Sequence, residues 1–224
     1  MTKQDTSSEQ RNRTNEMIAA ELLKIKAVFL RPEQPFTWAS GIKSPVYCDN
    51  RLVLSEPQTR EKVEQALADT VRREFPDCEM LMGTSTAGIA HAAIAAHMMG
   101  LPMGYVRSAA KDHGRANRIE GHLDPGERTV VIEDLVSTGG SLVDTVRALR
   151  EAGAQVLGAV SIFTYGMEAA AEAMKTAAIK HVSLADLDML ADTAARKGYI
   201  DESEKQKLIC FRDDPQNESW MIEK

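Results

Sequence analysis

The sequence predicts an α/β fold: a central, mostly parallel β-sheet flanked by helices, with a small element on its N-terminal side. Three observations carry this reading. Four short apolar runs, Glu79–Met82, Met103–Val106, Thr129–Ile132 and Val156–Phe163, are continuous rather than alternating, as in strands buried on both faces. Helical segments fill the intervals between them, at Gly88–Met99 and from Ser141 to about Ala152. The length of 224 residues suits one large domain, or one domain with a small appendage.

In chain order, residues 1–15 are rich in Ser, Thr, Gln, Asn and Arg and are expected to form a flexible tail, leaving 16–224 as a single domain. Met17, Ile18, Leu22, Leu23, Ile25 and Phe29 recur at helical spacing, so the first helix is amphipathic and ends at Pro32 and Pro35. Phe36–Arg51 has Gly41 and Pro45 as breakers among β-prone residues and reads as a hairpin-like element. It belongs to an N-terminal hood within about residues 16–55. Ser55–Glu74 is a second helix, with Ser55 opening it and Pro57 in its first turn. Gly153 stops the helix that begins at Ser141. From about Ala169 the chain is Ala-rich and helical, with one short strand near Val182–Leu184. Ser108–Gly126 is a long, polar, glycine-bearing stretch, and loops of that kind inside a domain are usually functional.

Composition excludes several classes. Lys plus Arg is 27 and Asp plus Glu is 33, a formal net charge of −6, which counts against broad binding to nucleic acid or anionic membranes. Aromatic residues are 5%, too few for base stacking to be the main business. No apolar run approaches the roughly 20 residues of a membrane span, and the polar N-terminus does not resemble a signal peptide. Cys48, Cys78 and Cys210 form no C-x-x-C pair, so neither a disulfide framework nor a zinc site is expected. A reducing cytoplasm is the expected compartment. Neither nucleic acid nor membrane is expected as a partner.

The strongest chemical signal is VVIEDLVSTGGSL, Val130–Leu142. An apolar strand delivers Glu133 and Asp134 to its carboxyl end, where open α/β sheets bind ligands. Leu135 and Val136 lead into Ser137-Thr138-Gly139-Gly140-Ser141, small and hydroxylated residues that open a helix. Glycines let backbone N–H groups approach an anion, and the helix N-terminus adds unsatisfied donors and partial positive charge. The loop therefore suits a phosphate monoester. Two carboxylates beside it repel phosphate but suit the hydroxyls of an attached sugar, directly or through a divalent cation. Together they describe a ribose-5-phosphate cradle, and Glu133 to Ser141 are the candidate binding residues. The loop has neither the G-K-[ST] ending of a Walker A motif nor a G-x-G-x-x-G fingerprint. His91 and His97 have no partner at metal-ligand spacing and are expected to be structural or surface residues. Val143, Val146 and Leu149 form the apolar stripe of the helix that follows.

This segment resembles the phosphoribosyl pyrophosphate motif of type I phosphoribosyltransferases. FTWASGIKSPVYCD, Phe36–Asp49, is similar to the F-T-x-x-S-G-x-K-S-P segment of the orotate phosphoribosyltransferases. YVRSAAKDHGRANRIEG, Tyr105–Gly121, resembles that family's catalytic loop, with its R-x-x-x-K-x-H-G pattern. The resemblance implies the type I phosphoribosyltransferase fold. It implies transfer of phosphoribosyl from phosphoribosyl pyrophosphate to orotate, giving orotidine 5′-monophosphate, with Mg²⁺. It also implies a homodimer in which residues 108–121 of one subunit reach the other's site.

By the same resemblance Arg107, Lys111 and His113 contact the pyrophosphate, and with Asp134 they are the expected catalytic residues. Lys43, in the polar turn Ser40–Ser44, lies beside orotate and the pyrophosphate, and Ser137 also faces orotate. Magnesium is held through pyrophosphate and ribose hydroxyls, with Glu133 or Asp134 as its candidate protein ligand. Arg115 and Arg118 are expected to be solvated. The chain departs from the family pattern where lysines are missing at Ala87 and Ser108; Thr84–Gly88 reads either as a loop whose backbone N–H groups serve the anion instead or as a plain strand-to-helix turn. Two other readings stay open: a purine phosphoribosyltransferase, and a non-catalytic regulator that senses phosphoribosyl pyrophosphate.

Overall fold

The computed structural model describes residues 3–38, 40–108 and 118–221. Helix α1 (Lys3–Lys24) begins well ahead of the expected start near residue 16, so the polar stretch continues it N-terminally. Its buried stripe is Ile18, Ala19, Leu22 and Leu23. The helix also stops earlier than expected. Lys26 takes a positive φ of 57°, the chain reverses, and Phe29 lies in strand β1 (Val28–Leu30) rather than in the helix.

Strands β2 (Phe36–Thr37) and β3 (Lys43–Ser44) form a short antiparallel hairpin, and β4 (Val46–Cys48) pairs back onto β1. These two small sheets are the hood. A 3-10 turn, Asn50–Ser55, leads to α2 (Pro57–Glu74). Ser55 therefore ends the 3-10 turn and does not cap α2; Pro57, which needs no N–H partner in the first turn, starts the helix.

The rest of the chain alternates strand and helix. It runs β5 (Met80–Thr84), α3 (Gly88–Met99), β6 (Met103–Val106), β7 (Ile119–Glu120), β8 (Arg128–Val136), α4 (Gly140–Glu151), β9 (Gln155–Thr164), α5 (Glu168–Thr176), β10 (His181–Asp186), α6 (Leu187–Arg196) and α7 (Glu202–Asp213). The main sheet has the order β10-β9-β8-β5-β6-β7, parallel except for β7 at one edge. Alternate residues of its strands feed two cores. Leu81, Val130, Ile132, Val160 and Ile162 pack with α1, α2 and α3. Met82, Val131 and Ala159 pack with α4 and α5.

Strand order explains where a ligand belongs. From β5 the chain moves outward to β6, whereas from β8 it moves the other way to β9 and β10. The switch point lies between β5 and β8, and the crevice beyond their carboxyl ends is the expected binding position. The loops after both strands, Ser85–Ala87 and Ser137–Gly139, meet that crevice.

Candidate active site

The loop after β8 is shaped by one glycine and left open by another. Gly139 has φ 83°, and a Cβ there would come within 2.6 Å of the Met174 side chain. Gly140 starts α4, and a Cβ there would meet nothing within 4 Å. No side-chain hydrogen bond caps α4, so its first-turn amides are available to an anion. Thr138, Gly140 and Ser141 are exposed, and Ser137 is half-buried. Leu135 packs on the core shared with α1, α2 and α3, and Val136 lies within the other core, with α4 and α5, so both shape the loop from beneath rather than offering it side chains.

The two acids diverge. Adjacent residues of a strand point to opposite faces, and Glu133 is buried while Asp134 is half-exposed. The Asp134 N–H donates to Glu133 Oε1 at 3.0 Å, and Glu133 Oε2 has no hydrogen-bond partner among the described residues. Burial, reinforced by the neighbouring Asp134, pushes the Glu133 carboxyl up to about 8. Of the two candidate sugar-facing carboxylates, Asp134 is the open one and Glu133 the buried one.

Across the crevice, Thr84 is buried and its hydroxyl donates to the Ile132 carbonyl at 3.3 Å. The Ser85–Thr86 peptide bond is cis. Gly88 allows α3 to start against β8, since a Cβ would lie 2.5 Å from the Ile132 carbonyl oxygen. Helix α3 also lacks a side-chain cap, so at Ala87, where the family lysine is missing, the chain presents a helix N-terminus. Ser85, Thr86, Ile89, Tyr105, Arg107 and Ser108, with Glu120, line a cleft of about 620 Å³. Arg107 Nη1 lies there without a hydrogen-bond partner among the described residues, 3.8 Å from Glu120.

Lys43 sits on the hairpin and donates to Thr37 Oγ1 at 2.7 Å. Lys111, His113 and Arg115 lie outside the described residues, as does most of the segment 108–121. Arg118 is not a solvated charge. It is ion-paired with Asp144 of α4, and its Nε donates to the Arg107 carbonyl at 2.8 Å. His91 is structural, as expected, but it has a carboxylate partner in Glu64 of α2, 2.5 Å away with both side chains fully buried. Asn50 reaches the site as well: its side-chain amide donates to the Asp134 carbonyl at 2.6 Å. Nothing local marks it, because its partner lies 84 residues away.

Fold and loop define a class: an α/β protein with an open glycine loop and an uncapped helix N-terminus at the switch point of a parallel sheet. The phosphoribosyl transferase domain matches residues 53–188. An orotate phosphoribosyltransferase of Bacillus cereus (strain ATCC 10987 / NRS 248) is 53% identical over 204 residues, spanning 91% of this chain and 97% of that one. One from Bacillus anthracis is 52% identical over the same shares. Among solved structures, orotate phosphoribosyltransferase from Aeropyrum pernix superposes with a TM-score of 0.68 at 29% identity, covering 80% of this chain and 99% of that one. Leishmania donovani UMP synthase gives 0.75 at 26% identity over 88% of this chain, which matches only 41% of that longer protein. The chain belongs to the orotate phosphoribosyltransferases of the type I phosphoribosyltransferase family. No helix among the described residues is long and apolar enough to cross a membrane.

Proposed function

We infer that the protein transfers the 5-phosphoribosyl group from phosphoribosyl pyrophosphate to orotate, a glycosyl transfer in pyrimidine nucleotide biosynthesis. The observation that carries this is the Glu133-Asp134 pair running into an open Ser137–Ser141 loop at the switch point, in a chain 53% identical to an orotate phosphoribosyltransferase. The hood segment Phe36–Pro45 favours orotate over a purine base, and the loop residues Lys111 and His113 favour catalysis over sensing alone.

In the reaction the C1–O bond to pyrophosphate breaks and its electron pair leaves with pyrophosphate. The orotate ring nitrogen supplies the pair for the new C1–N bond and gives its proton to pyrophosphate or solvent. Positive charge grows on the ribose and negative charge on the leaving group, so positioning and charge stabilisation carry the catalysis. The α4 amides and the hydroxyls of Ser137, Thr138 and Ser141 hold the 5-phosphate. Asp134 takes the ribose hydroxyls. Arg107, with Lys111 and His113, and the amides after Thr84 receive the pyrophosphate.

Among the described residues no three His, Cys, Asp or Glu side chains converge as a metal site. That fits Mg²⁺ arriving with the pyrophosphate, because this ion binds through one or two carboxylates plus substrate phosphates. Asp134 is the side chain that would hold it. When bound, the ion neutralises charge on the leaving group. The loop 108–121 acts across a homodimer. Loss of orotate ultraviolet absorbance on mixing protein, Mg²⁺ and phosphoribosyl pyrophosphate tests the reading. A decrease that needs all three supports it; folded protein that consumes adenine or guanine instead overturns it.

A further inference from the structure

Strand β8 outruns its neighbour. The β5–β8 ladder ends at Gly83↔Ile132, whereas β8 continues to Val136. Residues two apart on a strand direct their carbonyls to the same side. Ile132 still finds a partner on the β5 side, in the Thr84 hydroxyl. Asp134, two residues on, has no strand beside it on the β5 side, and its carbonyl takes the side-chain amide of Asn50 instead, at 2.6 Å. Asn50 is fully buried, and its Oδ1 accepts from the Cys48 thiol at 3.3 Å, which fixes which end of the amide faces Asp134.

Asn50 is itself held firmly. The Asp49 N–H donates to the Ala27 carbonyl at 2.7 Å, and the Asp49 carboxylate takes Arg51 through two bonds of 2.6 and 2.8 Å. Upstream, β4 and β3 lead back to Lys43 through Pro45. The Asn50 bond is therefore where the hood, carrying Lys43, is pinned to the strand that carries Asp134.

We propose that Asn50 is a positioning residue of the transferase, setting the backbone of Asp134 and hence the aim of its carboxylate at the ribose. The proposal rests on the ribose-binding reading of Asp134 given above. An apolar residue at position 50 would leave the Asp134 carbonyl without a partner and let the strand end turn. The cost falls on substrate held by Asp134 and not on the fold alone.

The test uses the full chain, with phosphoribosyl pyrophosphate plus Mg²⁺ as the binding probe and orotate turnover as a second readout. Asn50→Ala is expected to weaken binding of the probe by about 10- to 100-fold, the scale of a lost buried hydrogen bond. In an Asp134→Asn background the same substitution should cost less than about 3-fold, because residues acting through one another are not additive. Equal losses with and without Asp134, or a fall in melting temperature with unchanged affinity per folded site, overturn the proposal. If wild type binds the probe without consuming orotate, the functional reading fails while the binding cycle still decides the role of Asn50.

Discussion

Arg118 joins two parts of the site that lie far apart in sequence: it is ion-paired with Asp144 in the second turn of α4, and its Nε donates to the carbonyl of Arg107. The Arg107 N–H in turn donates to the Arg118 carbonyl at 2.8 Å. The cleft-lining residue Arg107 is thus tied to α4, the helix whose N-terminus is proposed to hold the 5-phosphate. Arg118→Ala and Asp144→Ala are each expected to lower turnover several-fold, and the double variant to be no worse than the weaker single one. Steady-state kinetics on the three variants checks this; additive losses would mean that the two residues act separately. Arg118 also holds the Asp144 carboxyl below its usual range. That bridge stabilises the fold above the unfolded carboxyl's pKa of about 4 and loses its effect as pH falls through the lower folded value.

Gly139 and Gly140 are adjacent but should fail differently. Gly139→Ala forces a side chain into positive φ and against Met174, so stability should drop by about 1–2 kcal/mol. Gly140→Ala places a methyl in open space. Its melting temperature should hold or rise slightly, while phosphoribosyl pyrophosphate binds less well because the methyl occupies the anion's approach. Thermal melts and binding measured on the same two samples separate the cases. A loss of stability in Gly140→Ala would place that residue's role in the fold.

His181 is expected to contribute to the acid limb of stability. It starts β10, and its Nε2 lies 2.8 Å from the buried Ser161 hydroxyl, which in turn donates to Ser183. Burial pushes the imidazole down to about 4 from its ordinary 6.5. The unfolded chain therefore binds a proton that the folded chain refuses between these values. Its contribution to stability should be full above about pH 6.5 and fall as pH drops toward the folded value of about 4. His181→Asn should flatten that slope. Urea denaturation at pH 7 and pH 5 is the check, and an unchanged slope in the variant would assign the acid loss to other groups.

Burial on both faces made the central strands legible, because it writes each as an unbroken apolar run. Met103–Val106 and the helix Gly88–Met99 occur with the bounds read from sequence. Strand β8 proved longer than its apolar run, since backbone pairing with β9 continues beneath the polar pair Glu133 and Asp134. Phe29 misled because its spacing from Ile25 is helical, while one left-handed residue at Lys26 redirects the chain. In the site, the open loop at the switch point was legible because its pattern is local, with glycines, hydroxyls and acids in one short stretch. The inward turn of Glu133 was not, because charge suggests exposure and only the packing of β8 against α3 decides otherwise. Asn50 and the Arg118–Asp144 pair are contacts between distant segments, which no local pattern announces.

The proposed homodimer can be tested through residues on opposite sides of the chemistry. Lys111 belongs to the loop assigned to the partner's site, whereas Asp134 belongs to the strand end of its own. Each alanine variant should lose most of its turnover alone. In a mixed dimer, the subunit bearing Lys111→Ala still offers an intact Asp134 site. Its partner bearing Asp134→Ala still offers an intact loop to fill that site. One of the two sites is then complete, so mixing the variants should restore activity toward half that of wild type per mixed dimer. Differently tagged subunits and native mass spectrometry establish that exchange has occurred. Exchange without recovery would assign the loop to its own subunit's site, and recovery without exchange would show that one of the single variants was not inactive.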